Sequence, residues 1–301
     1  MKKNILTLLL ISVFGLNLNA QTTATTTDTI WRTTLLAGLN LNQLSFTNWS
    51  AGGENSFSGN ALLSYTAKYK KGRWGWDNVL DFAIGATKTG SDDLRKSDDK
   101  IDINSKLGYN FNKNFYLSYL LGFKSQFTEG FLYEGDNRAR ISNFLAPGYV
   151  LNAVGVDWKA NDDVSIFISP ATLKTTIVQD DELSAAGQFG VDPGEKIRNE
   201  LGAYFILRYK HTVMENVDFS TKLELFSSYT NNPQNIDVNW EVLLSFKVNK
   251  YINALLQTQL IYDDDVVVPK GKENPRPGIG TQFKEVFGIG FSYKFEGAAV
   301  K

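Results

Sequence analysis

Charged side chains recur in this sequence with apolar residues immediately beside them: Lys68, Asp81, Asp102, Lys106, Lys124, Arg208, Lys210, Asp218, Lys222, Glu224, Asp237, Glu241 and Lys247. Each falls on the polar side of a segment in which apolar and polar residues alternate. Charges shielded from water need partners, so residues of both signs at this spacing can do two kinds of chemistry. They can neutralise one another in cross-strand pairs, or they can line an aqueous path in which opposed charges organise a passing solute. A small barrel must fill its interior with side chains, which favours the first without removing the second.

Other reactive types are sparse. The single histidine, His211, shares the parity of Leu207 and Tyr209, on the apolar side of its segment. A nucleophile's base must lie within reach of its serine and be oriented by a third group, and no such arrangement is visible, so no catalytic residue is expected. Acidic runs at Asp92-Asp93, Asp98-Asp99, Asp180-Asp181-Glu182 and Asp263-Asp264-Asp265 offer oxygen ligands of the kind Ca²⁺ and Mg²⁺ take. None has the spaced ligands and glycine of a calcium loop, so they read as solvated loops, with no metal and no cofactor expected. The absence of cysteine excludes disulfides and thiolate metal sites. A formal net charge of −1, from 31 basic and 32 acidic residues, argues against a nucleic-acid partner.

Two-residue alternation is the signature of a strand with two different faces. It is sharpest at the end of the chain, where Phe287, Ile289, Phe291, Tyr293 and Phe295 alternate with Gly288, Gly290, Ser292 and Lys294. Similar segments cover 33–46, 57–69, 76–86, 101–111, 115–126, 201–209, 217–225, 236–248 and 252–262. Two weaker ones lie at 149–159, where Asn152 shares the apolar parity, and 164–174, where Pro170 interrupts the ladder. These make about twelve strands, an even number as single-chain bacterial barrels require.

The connections are consistent with that reading. Tight links near residues 72, 113, 162, 215 and 249 alternate with long ones at 47–56, 87–100, 128–148, 179–198, 230–235 and 263–282, as short periplasmic turns alternate with longer external loops. Aromatics would form two girdles. Trp31, Trp74, Trp76, Trp158, Phe111, Phe115, Tyr209 and Phe295 fall near one rim, and Phe46, Phe57, Phe127, Tyr229, Trp240 and Tyr262 near the other. No run after the N-terminal segment approaches the roughly 18 apolar residues of a spanning helix.

The expected organisation is therefore a secretory signal over residues 1–20, with Lys2 and Lys3 ahead of an apolar run and Ala20 at its end. A loose leader follows over 21–30, a transmembrane barrel over 31–295 and a short tail over 296–301. The fold class is all-β, an antiparallel up-and-down transmembrane β-barrel.

In the first long connection, Asn48, Trp49, Gly52 and Gly53 stand out: the paired glycines permit a tight turn, and the tryptophan could fold inward or mark an interface. The segment from Asn48 to Phe57, together with Lys71-Gly72-Arg73-Trp74, resembles an uncharacterised Bacteroidota outer-membrane barrel family, domain of unknown function 3078. The resemblance implies a location and a fold and no activity. It also implies outer-membrane lipid, lipopolysaccharide and the barrel assembly machinery as partners. A small polar solute is the expected ligand if the lumen is open; a structural or secretion-associated barrel with a closed lumen is the alternative.

Overall fold

A computed structural model describes residues 29–46, 53–134, 137–268 and 278–300. In chain order its elements are β1 (Thr29–Leu44), β2 (Ser56–Lys71), β3 (Trp74–Thr89), β4 (Arg95–Asn112), β5 (Phe115–Ser125), β6 (Gly130–Glu134), β7 (Asn137–Ser142), β8 (Gly148–Lys159) and β9 (Val164–Ile177). They continue with α1 (Asp181–Ala185), β10 (Ile197–Met214), β11 (Val217–Ser228), β12 (Asp237–Lys247), β13 (Ile252–Tyr262), β14 (Val267–Val268), β15 (Gly278–Ile279) and β16 (Gln282–Val300). Twelve of the strands close into one antiparallel barrel, in which each pairs with its sequence neighbours and β16 returns to β1. The β6–β7 and β14–β15 pairs stand apart as hairpins in the connections. Among the described residues no helix is long and apolar enough to cross a membrane.

The alternation expected of each strand is the inside–outside alternation of the wall. Phe287, Ile289 and Phe291 point outward with about 60% of their surface exposed. On β1, Leu39 and Leu41 are exposed while Asn40 between them is buried. The exposed large side chains, among them Leu63, Ile84, Leu107, Leu117, Leu121, Val156, Ile168 and Leu201, come from strand after strand around the wall. A belt of that extent far exceeds the apolar patches that water-exposed surfaces carry.

Aromatic contacts gather at the short-turn end. Trp31 packs on Tyr69 and Trp76, Trp74 on Tyr109, Phe115 on Phe111 and Trp158, and Tyr293 on Tyr251 and Phe295. His211 lies on the outer face, stacked 6.1 Å from Tyr209. Asn152 also faces outward and accepts a hydrogen bond from Tyr119 (2.7 Å).

Three boundaries differ from the sequence reading. The leader gives way at Thr29, two residues before the expected barrel start, and β16 runs through Glu296 and Gly297 to Val300, paired with residues 29–34 of β1. Ladder hydrogen bonds come from the backbone, so a strand outlasts the last aromatic of its pattern. The connection expected over 87–100 shrinks to residues 90–94, because β3 and β4 extend past their clear alternation. Asp98 and Asp99 consequently sit in a strand: Asp98 accepts from Asn60 and Lys284, and Asp99 from Lys96 and the N–H groups of Phe127 and Thr128.

Pro170 marks a bulge. Ser169 pairs with Tyr204 and Thr172 with Gly202, so the ladder skips a step there, and the inward parity of β9 changes across it. Phe167 and Ser169 face in before the bulge, and Thr172, Lys174 and Thr176 after it. The neighbouring strand has glycine at the crowded point, since a Cβ on Gly155 would lie 2.1 Å from the Ile168 carbonyl oxygen.

Candidate functional site

Two cavities formed by the described residues of the lumen share no lining residue. One, about 550 Å³, opens toward the long connections, and the other, about 590 Å³, toward the short turns. Between them lies a septum of buried side chains.

The septum is built from β4, β5, β8, β9, β10, β11 and β12. Its apolar part comprises Leu120, Ala153, Phe167, Tyr204, Ile206 and Phe226. Its polar part centres on Lys222, whose Nζ lies 3.0 Å from Asp102, 3.0 Å from Glu241 and 3.4 Å from Glu224. Glu224 also accepts from Lys124 (2.6 Å), Tyr204 (2.6 Å) and Asn239 (2.8 Å). Asn104 donates to Asp102 (2.6 Å), and Lys100 reaches Glu241 (2.9 Å). One layer nearer the turns, Lys106 pairs with the wholly buried Asp157 (2.8 Å) and sits 5.6 Å from the Phe167 ring centre. Charges paired in this way are tolerated in low dielectric, whereas a single unpaired charge is not.

The long-loop cavity rises from this floor. Among its lining residues seven carboxylates (Asp98, Asp99, Asp102, Glu224, Asp237, Glu241, Asp263) face four ammonium groups (Lys100, Lys124, Lys174, Lys284), a net charge of −3, alongside Tyr149, Tyr262, Phe189 and Phe226. Lys174 lies 2.6 Å from Asp237, 3.7 Å from Asp263 and 4.0 Å from Glu200. Asp237, Asp263 and Asp264 could in principle hold a cation, but the Lys174 ammonium already supplies the positive charge there.

The rim of this cavity is folded. Ala146, Val178, Leu183 and Val191, with Phe189 against them, form a small apolar core between the 126–147 and 178–196 connections. Asp180 caps α1 by accepting from the N–H groups of Glu182 and Leu183, and it also accepts from Arg140 (2.8 Å) and Asn143 (3.2 Å). Burial raises the Asp180 carboxyl. The hydrogen bonds from Asn143, Leu183 and Arg140 outweigh that and hold it below the usual carboxylate range. Arg198 joins this rim to the last connection through Asp265 (2.8 Å).

The turn-end cavity is of the opposite sign. Arg32, Lys68, Lys70, Lys159 and Lys210 face Asp77, Asp162 and Asp163, a net +2. Lys159 pairs with Asp77 (2.6 Å). Among the described residues, Arg32, Lys68, Lys70 and Lys210 make no ion pair, in contrast to the four lysines lining the other cavity, which all do.

The sequence-derived lumen residues thus divide into groups. Asp102, Lys124, Lys222, Glu224 and Glu241 come together in one network, with Lys106 below it and Asp237 above. Arg208 sits directly across the ladder from Lys222. Asp81 accepts from Ser64, Lys68 and Lys210 line the turn-end cavity, and Asp218 and Lys247 pair at the turn-end rim, where both are substantially exposed. Of the loop motif, Asn48, Trp49 and Gly52 lie outside the described residues; Gly53 has a φ of 125°, in the region that favours glycine.

Lys100, Asp157, Lys174, Glu200 and Lys284 were not among the sequence-derived lumen residues. Parity carries the signal for Lys100 and Glu200, which share the phase of Asp102 and Tyr204. Lys174 is hidden by the Pro170 bulge.

A family model described as Protein of unknown function (DUF3078) matches residues 41–131, from the end of β1 into β6. No curated protein matches. Solved structures with the same general form include an outer membrane channel from Pseudomonas putida F1 (11% identity, TM-score 0.40, covering 92% of this chain and 98% of that one). The NanC porin gives 10% identity, a TM-score of 0.36 and coverage of 86% and 98%. The translocator domain of autotransporter NalP from Neisseria meningitidis gives 9%, 0.35, and 91% and 90%.

Proposed function

We propose that the protein is a non-enzymatic outer-membrane barrel that takes up a small polar solute in its long-loop cavity, with the long connections outside the cell and the short turns in the periplasm. The apolar outer belt with aromatics at its rims supports the location, because a closed sheet, unlike an open one, satisfies every backbone group in hydrocarbon. The observation that carries the role is the cavity itself: about 550 Å³ walled by opposed charges and aromatic rings above a filled floor. A formed pocket in which placed polar groups converge between apolar walls is where a ligand is first expected.

The septum favours binding over free passage. In planar bilayers the folded barrel is expected to give no steady conductance of the porin kind, while equilibrium dialysis finds saturable uptake of a zwitterionic solute such as an amino acid. Large ohmic steps would replace binding with a channel, and absence of both would leave the second reading, a closed structural or secretion-associated barrel. That reading draws on the same septum, and co-purification of a stoichiometric partner from native membranes is its test.

A further inference from the structure

The β1–β16 closure is incomplete. β16 pairs with β1 from Gly290 to Val300 and with β13 from Gln282 to Phe291, so among the described residues only Gly290 and Phe291 are held on both sides. Continued register would set Leu41, Asn42, Gln43 and Leu44 opposite Ile289, Gly288, Phe287 and Val286. Yet the first four pair with β2 alone and the second four with β13 alone. Where the ladder is intact the strands are crowded, since a Cβ on Gly290 would lie 2.4 Å from the Leu39 carbonyl oxygen. Two residues on, the nearest atoms to such a Cβ on Gly288 belong to the Asn40 side chain, at 3.5 Å, and none belongs to Asn42. On the β13 side the contact runs one residue past the ladder, where Ser292 donates to the Tyr251 carbonyl and Tyr251 stacks on Tyr293. At the long-loop end the β1 side of β16 is open.

An unpaired strand edge at membrane depth is tolerated only where water or another polar group reaches it. Here one does, because Gln282 and Lys284 of the same stretch line the long-loop cavity. The gap is therefore a wet notch in the apolar wall, flanked outside by Leu41, Leu44, Phe287 and Ile289, all at least half exposed.

We propose that this seam is a lateral gate through which the cavity takes an amphiphile, its charged head among the cavity's ion pairs and its hydrocarbon tail in the bilayer between β1 and β16. The inference rests on the cavity being a binding site, and it narrows the solute to one with a tail.

Because the chain has no cysteine, the double variant Asn42→Cys/Gly288→Cys can staple the seam. Barrels in lipid nanodiscs are titrated with a zwitterionic tailed probe, lysophosphatidylcholine labelled on its acyl chain, and with the tail-less zwitterion Nε-dansyllysine, reduced and oxidised. Oxidation is expected to weaken the tailed probe by about ten-fold or more, which is roughly 1.4 kcal/mol, with reduction restoring it and dansyllysine unaffected. Equal binding of the tailed probe in both states overturns the gate and leaves the cavity reading standing. Failure of both probes to bind the reduced protein removes the cavity reading and the gate with it. Hydrogen exchange on the unmodified chain tests the same point without a variant. Amides of 41–44 and 286–289 should exchange at least about ten times faster than those of 35–39, which are paired with both β2 and β16, as open edges do, and equal protection sinks the proposal.

Discussion

In the long-loop cavity every lining lysine rests against a carboxylate, whereas in the turn-end cavity Lys68, Lys70 and Lys210 face one another and Arg32 with no such partner among the described residues. The two cavities are similar in size and opposite in net charge. The difference teaches where the barrel's charges are structural and where they are free. Near the septum water is excluded, and the lysines there are held by carboxylates. At the turn end the side chains are exposed, and water screens their repulsion. Buried position, more than residue type, decides whether a lysine here holds the wall together.

The most severe test of that distinction is Lys222→Met, which leaves Asp102, Glu224 and Glu241 with only Lys100 and Lys124 to neutralise them. Urea unfolding in lipid vesicles, followed by tryptophan fluorescence, should show a loss of roughly 3–5 kcal/mol, the usual result of breaking a buried ion pair. A neutral result would mean that the septum is wet. Lys124→Gln should lose about 1.5–3 kcal/mol in the same assay, as for hydrogen bonds to charged groups, because Glu224 keeps Lys222, Tyr204 and Asn239.

The folded rim is expected to be softer. Removing the α1 cap with Asp180→Ala should lose about 1 kcal/mol of local stability, seen as faster hydrogen exchange over 178–196 with the barrel strands unchanged. The same rim should loosen in acid. Because the Asp180 carboxyl is held below its unfolded value, its contribution is complete above the ordinary carboxylate range and is lost as pH falls through the depressed folded-state value. Protection factors over 178–196 that stay flat from pH 7 down to pH 3 would contradict this. Lys68→Gln and Lys210→Gln should be smallest, within about 0.5 kcal/mol of the parent, and any gain should fade at high salt. A loss comparable with Lys222→Met would erase the contrast between the two cavities.

Much of the wall was legible in the sequence. Twelve alternating segments become twelve barrel strands because each residue meets one of two environments and the backbone switches between them at every step. Asp102, Lys106, Lys222 and Glu224 could be placed inside from parity alone. Their mutual contacts could not, since Lys222 and Asp102 lie 120 positions apart in sequence and meet only when β4 and β11 face one another across the closed lumen. Glu200 and Lys100 escaped because the strands continue past their apolar pattern. The open seam was also out of reach: it depends on how far β16 is staggered against two different neighbours, and alternation within a strand carries no record of that offset. Nor did composition reveal the shared rim core, as Ala146, Val178, Leu183 and Val191 are scattered through two polar connections.

The Pro170 bulge has one further consequence. β9 is two half-strands written out of phase, and the extra step between them alone lets both keep their polar residues indoors. Deleting a single residue there would leave composition almost untouched yet rotate Thr172, Lys174 and Thr176 to the outer face, taking from Asp237 its cation. Reading frame, a notion usually reserved for genes, thus applies to this strand: the chain tolerates substitutions far better than slippage.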